Sequence, residues 1–397
     1  MGDSEGKVMT DNQQTFFALV RAGIGHGTNT LPNSIDWESV RDIATKQGLV
    51  AVAYDGLNCL LEDDNAKPLP LTVKLRWMGE VMQGYEHRYQ LYKKAIAQLA
   101  RFYNSQGYKM MLLKGYACSI DWPKPEHRPC GDIDIWLFGQ QEAADNELVS
   151  SLTGVESATP RHSSSKLNSA HGSNADFRFQ DPSFRIDNSH HHHSVFNWQG
   201  FTVENHYDFL NVHHHKSNAV MEKTFKALAN DDSNSIIIEG EKVYLPSPNL
   251  NALFLLRHAM AHFAAEQITI RHLLDWAFFV EKHGKDVDWK WLEEILERFG
   301  MIPMYGIINA ICVEDLGFDA ALFTNAQCDP EMKKRVLLEI LSPEFSSSLP
   351  KGMAHRIVYK YRRWKGNEWK HGLCYNDSMT SSLWAGIKNH LMKPSTI

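Results

Sequence analysis

Two aspartates, Asp132 and Asp134, sit in a run that is otherwise apolar: Ile133, then Ile135-Trp136-Leu137-Phe138. Branched and aromatic residues of this kind read as a buried β-strand. Side chains at i and i+2 of a strand share a face, with Cα atoms roughly 6.5–7 Å apart. Two carboxylates held among apolar neighbours are costly unless a cation or water meets them. The strand must therefore end at an open site or hold metal. Carboxylates at this spacing can converge on divalent cations about 3.5–4 Å apart, the separation used in phosphoryl transfer.

The surrounding pattern predicts an α+β chain in three regions. Its 397 residues exceed what one small core organises. Residues 1–106 read as an N-terminal helical region. Asp36 before Trp37-Glu38-Ser39-Val40 is a helix start. Leu75, Met78, Met82, Tyr85, Tyr89, Tyr92, Ile96, Leu99 and Phe102 recur every three or four residues, which predicts one long helix with a buried stripe. Residues 107–245 read as a small mixed sheet. Lys109–Leu113 and 132–138 are strands, Gly115–Ile120 and Glu142–Leu152 helices, and 160–175 a polar loop. Gln199-Gly200 and Gly240 mark two tight strand connections. Residues 246–397 read as a C-terminal helical domain opened by Ser247-Pro248.

Composition excludes several classes. The formal charge of −6 argues against a basic nucleic-acid binder. A local exception is Lys351–Lys370, where basic residues alternate with Tyr359, Tyr361, Trp364 and Trp369. Such a mixture suits a polynucleotide, but a helix with a solvated basic face and core aromatics explains it more simply. No apolar run reaches membrane-spanning length, so no membrane association is expected. Six scattered cysteines fit reduced thiols and a cytoplasmic protein.

Around the acidic pair, Leu113-Lys114-Gly115 turns a strand into a helix at a glycine. Helix N–H groups, a close-approach glycine and a lysine make a phosphate cradle. Glu204, on the open face of Phe201-Thr202-Val203-Glu204-Asn205, is the candidate third carboxylate, with Asp187 as its competitor. Leu113-Lys114-Gly115, Arg128, Gly131-Asp132-Ile133-Asp134 and Val203-Glu204-Asn205-His206, in that order, resemble a bacterial family of nucleotidyltransferases in the DNA polymerase beta-type superfamily. His258, His262, Arg271 and Asp275 resemble the helical region that follows the catalytic domain of that family, so the likeness runs from about residue 36 to 283.

The resemblance implies transfer of an NMP from an NTP to an acceptor hydroxyl with release of pyrophosphate. Asp132, Asp134 and Glu204 would be the catalytic and metal-binding residues, holding two Mg²⁺ ions or Mn²⁺ in their place. Lys114, Gly115, Arg128 and Gly131 would contact the nucleotide, Arg128 by neutralising phosphate charge. The acceptor (RNA, protein or small molecule) and the oligomeric state are not legible. Tyr116 stands where the superfamily has a small residue, often serine, so a degenerate nucleotide-binding module is an alternative. A His-metal hydrolase is another, because His190–His193 and His213–His215 flank the Glu204 strand. His258 and His262 are read as helix packing, since Glu is absent at position 259 and the metalloprotease pattern with it.

Overall fold

The computed structural model describes residues 8–27, 31–32, 35–61, 70–154, 181–190, 192–212, 215–345 and 350–380. The expected loop at 160–175, together with His191, His213 and His214, lies outside the described residues. The chain is α+β, with one six-stranded mixed sheet among many helices. Among the described residues no helix is long and apolar enough to cross a membrane. All six cysteines are free thiols.

Helices α1 (Asp11–Gly23), α2 (Trp37–Gln47), α3 (Val50–Leu61), α4 (Leu71–Glu80) and α5 (Arg88–Ser105) come first. Asp36 caps α2 as expected, accepting from the Ser39 N–H at 3.2 Å. The long apolar stripe departs from expectation at its start. A π-helical turn, Val81–His87, joins α4 to α5. That turn takes in an extra residue and shifts the helical phase. The buried row therefore runs Trp77, Val81, Tyr85, Tyr89, Tyr92, Ile96, while Leu75, Met78 and Met82 face outward.

The strands are β1 (Met111–Leu112), β2 (Ile133–Trp136), β3 (His193–Trp198), β4 (Phe201–His206), β5 (Ser235–Ile238) and β6 (Glu241–Tyr244). Their order in the sheet is β3-β4-β2-β1-β6-β5. The pairs β2/β4 and β1/β6 are parallel and the others antiparallel. Both hairpins turn on two consecutive residues of positive φ, Gln199-Gly200 and Glu239-Gly240. This is the geometry that matches the twist of paired strands. Short helix α6 (Tyr116–Ser119) follows β1, α7 (Gln141–Thr153) follows β2, and α8 (Lys216–Leu228) follows β4.

Strand alternation divides the core in two. Leu112, Ile133, Ile135 and Val203 face one way, against α5 and α7. Met111, Leu113, Trp136 and Tyr244 belong to a larger core with the remaining helices. Those include α9 (Pro248–Ala265), α10 (Ile270–His283), α11 (Trp289–Arg298), α12 (Ile302–Ala310), α13 (Pro330–Leu341), α14 (Met353–Gly366) and α15 (Glu368–Cys374). Pro248 takes the first turn of α9, but the Ser247 side chain makes no cap bond. In the Lys351–Lys370 segment, Lys370 is buried and ion-paired with Glu339 at 2.5 Å, while Tyr361 is exposed.

Candidate active site

Asp134 in β2 and Glu204 in β4 are register partners across the parallel pair. Phe201 and Val203 are buried, which leaves Thr202 and Glu204 on the more open face. Asp132 lies just before β2 and is exposed. His206, two residues after Glu204, shares its face by the same alternation. These side chains line a cavity of about 570 Å³, joined on the sheet side by Lys114, Gly115, Arg128 and Gly131. Helices α9 and α10 supply the facing wall with His258, His262, Arg271, His272 and Asp275. The cavity thus brings together every residue expected of the site. The competing carboxylate, Asp187, is exposed and bonds to the Ser189 N–H at 2.8 Å, away from the cavity.

The carboxylates differ in their surroundings. Asp134 is buried; its Oδ1 lies 3.0 Å from Lys114 Nζ and 3.2 Å from His206 Nε2. Burial alone would raise its pKa, but these two cations outweigh it and hold the carboxyl well below its usual range. Burial likewise works against the charge on Lys114, and the carboxylates around it push its pKa up on balance. Both nitrogens of His206 meet acceptors: Asp134 and Glu204 on one side, the Asp208 carbonyl at 3.3 Å on the other. An imidazolium satisfies all of them, and the pKa is raised despite burial. Asp132 ion-pairs with no basic side chain among the described residues. Although the residue as a whole is exposed, partial desolvation of the carboxyl where it enters the cleft, then Glu204 and Asp134, push it up. That mutual repulsion is what a divalent cation would relieve, and the oxygen-rich donor set fits Mg²⁺ or Mn²⁺. Ligand atoms of Asp134, Glu204 and His206 lie within 4.8 Å of one another.

Two expected phosphate contacts are already engaged. Lys114 is bound to Asp134, as above. Arg128 is buried and forks onto Asp275, with Nε–Oδ1 at 2.7 Å and a second nitrogen to Oδ2 at 2.9 Å. Trp122 Nε1 donates to the same carboxylate at 3.0 Å. Gly115 has φ +62, and a Cβ there would lie 2.4 Å from the Tyr92 hydroxyl oxygen. That hydroxyl donates to the Asp132 carbonyl at 2.6 Å and so ties the glycine turn to the acidic strand. Tyr116 is buried and stacks on Tyr89, with centroids 5.6 Å apart. Its ring serves packing, and no small hydroxyl stands at this turn.

The histidines divide by location. His192 and His193 line the cavity, and their ring nitrogens can approach those of His206 within 4.8 Å. Burial lowers them to about 3 and about 4, so both are neutral near pH 7 and able to bind a metal. His190 stacks on His193, and His215 on Tyr375. His258 and His262, expected as helix packing against the sheet region, stand on the face of α9 turned toward it and also line the cavity, with ring centroids 4.5 Å apart. Their four-residue spacing sets both on the face of α9 that walls the cleft.

Sequence reasoning did not single out His206, Arg271 or His272 as site residues. The i, i+2 relation of Glu204 and His206 carried a usable signal. Arg271 entered only through the likeness of its helix to that of the family, and nothing local marks His272, because the approach of α10 to α6 and to the loop before β2 is what brings them in.

No curated protein and no solved structure matches the chain. A family model described as uncharacterised nucleotidyltransferase matches residues 33–316, most of the chain, and the chain belongs to that family.

Proposed function

We propose that the chain transfers a nucleoside monophosphate from an NTP to an acceptor hydroxyl, with the polymerase beta-type arrangement of carboxylates. One observation carries this reading: Asp132, Asp134 and Glu204, from two adjacent parallel strands, converge on one cavity walled opposite by basic and imidazole side chains. Charge supports it. The three carboxylates face Lys114, the His206 imidazolium and Arg271, while Arg128 and Asp275 cancel. The cavity is then near neutral. Two divalent cations and a triphosphate of about four negative charges would enter together without leaving net charge in the cleft.

Asp132, Asp134 and Glu204 would hold Mg²⁺, which when bound neutralises phosphate charge and lowers the pKa of the attacking hydroxyl. The acceptor oxygen forms a bond to the α-phosphorus. The bond to the α–β bridging oxygen breaks, and pyrophosphate leaves with that electron pair. Glu204, half-buried at the cavity face, would complete the metal site or take the hydroxyl proton. His206 lies between Asp134 and Glu204, 3.2 Å and 3.6 Å from their carboxylates, and helps keep Asp134 ionised. Lys114 offsets the charge of Asp134 and, standing in the cavity wall, would offer its ammonium to a phosphate oxygen.

The test is incubation with α-labelled NTPs, Mg²⁺ and RNA, protein or small-molecule acceptors. Label transfer is expected from the wild type and none from Asp132→Asn with Asp134→Asn; transfer surviving that change excludes the assignment. The buried position of Tyr116 favours a second reading, a binding module without turnover. Mg²⁺-dependent NTP binding with no transfer to any acceptor would select it.

A further inference from the structure

Arg271 occupies the first turn of α10 and lines the cavity opposite the carboxylates. Its stem packs over Gly48, with Cδ 3.5 Å from where a Cβ would stand. Among the described residues no carboxylate oxygen lies within 4 Å of its guanidinium. The nearest acid, Asp275, already accepts two bonds from Arg128 and one from Trp122. The remaining close polar neighbour is His272 Nε2, 3.4 Å from an Arg271 terminal nitrogen.

That contact is between two donors. His272 Nδ1 accepts from the Thr269 backbone N–H at 3.1 Å, closing the capping box of α10, and the Thr269 hydroxyl, 3.0 Å away, can donate to the same nitrogen. A nitrogen that accepts from a backbone N–H carries no proton, so the ring proton of neutral His272 sits on Nε2. Burial and the neighbouring guanidinium lower this ring to about 3, in keeping with a neutral imidazole. Two N–H donors therefore stand side by side in the cavity wall, with no acceptor between them among the described residues. An oxyanion accepting from both completes the arrangement.

We propose that Arg271 and His272 form an oxyanion-binding pair that holds the terminal phosphates of the nucleotide. The choice of a nucleotide's phosphates as the occupant rests on the nucleotidyl-transfer reading; the anion site itself does not. The role expected for Arg128 passes to Arg271, because Arg128 is neutralised by Asp275 and Arg271 is not. The triphosphate then bridges the cleft, with its reacting end at the carboxylates of the sheet and its far end on α10.

The test is calorimetric titration of the full chain with inorganic tripolyphosphate in metal-free buffer, repeated with a nonhydrolysable NTP and Mg²⁺. Arg271→Gln removes the charge. His272→Glu keeps a Thr-x-x-Glu capping box while giving Arg271 a carboxylate partner. Both are expected to weaken tripolyphosphate by about 30-fold or more, with thermal midpoints at or above wild type. Asp132→Asn should bind tripolyphosphate at least as tightly as wild type, since it removes a negative charge across the cleft. Equal binding by wild type, Arg271→Gln and His272→Glu overturns the proposal, as does absence of binding to the wild type. Tripolyphosphate binding that depends on Arg271, without label transfer from any NTP, keeps the anion site and sinks the transferase reading instead.

Discussion

Asp132 and Asp134 stand two residues apart, yet their surroundings predict opposite costs on substitution. Asp134 is buried between Lys114 and His206, so Asp134→Asn strands two cations. Removing one partner of a buried pair is expensive, and partial exposure of Lys114 (23%) moderates it to about 2 kcal/mol of lost stability. Asp132 is exposed and repelled by its neighbours, so Asp132→Asn should leave stability unchanged or slightly higher. Both should lower transfer by about two orders of magnitude or more. Urea denaturation without divalent ions separates the two; equal destabilisation would contradict the ion-pair account. At this scale the meeting of Asp132, Asp134 and Glu204 at one cavity was legible because strand alternation is a local rule. The pairing of Arg128 was not, because Asp275 is 147 positions away and no local pattern connects them.

Between β1 and α6 the backbone turns at Gly115 under the Tyr92 hydroxyl. A side chain there meets two penalties, a positive φ and a contact far inside van der Waals distance. Gly115→Ala should cost about 3 kcal/mol. Adding Tyr92→Phe should recover part of it by removing the clashing oxygen, although the bond to the Asp132 carbonyl is lost. If the double variant is no more stable than Gly115→Ala alone in urea titration, the turn is limited by backbone strain and Tyr92 has no share in it. Elements of this size were readable where a cap or turn declares itself, as at Asp36 and Gln199-Gly200. The π turn was not, since Leu75, Met78 and Met82 keep helical spacing with the residues beyond it. Only packing reveals that Trp77 and Val81 took the inward row.

The cavity exists only because the polar end of the sheet meets α9 and α10, so its shape depends on what fastens them together. The expected boundary after residue 106 follows α5, whose buried face is shared with the sheet; periodicity tells that a face is buried but not against what. Across the seam, Trp122 and Arg128 in the loop before β2 grip Asp275 on α10, and His283 on the same helix bonds Asp121 at 2.9 Å. Lys124 and His127 grip Asp55 of α3, each at 2.6 Å. Asp275 carries the most, because Arg128 is only 4% exposed and water cannot replace its partner. Asp275→Asn should therefore cost about 3–5 kcal/mol. Asp275→Leu combined with Arg128→Met removes both charges and should cost less than the sum of the single changes, with a coupling of about 2 kcal/mol. Additive losses in that double-mutant cycle would mean the two residues do not fasten the sheet to α10, and that other contacts along the seam set the width of the cleft.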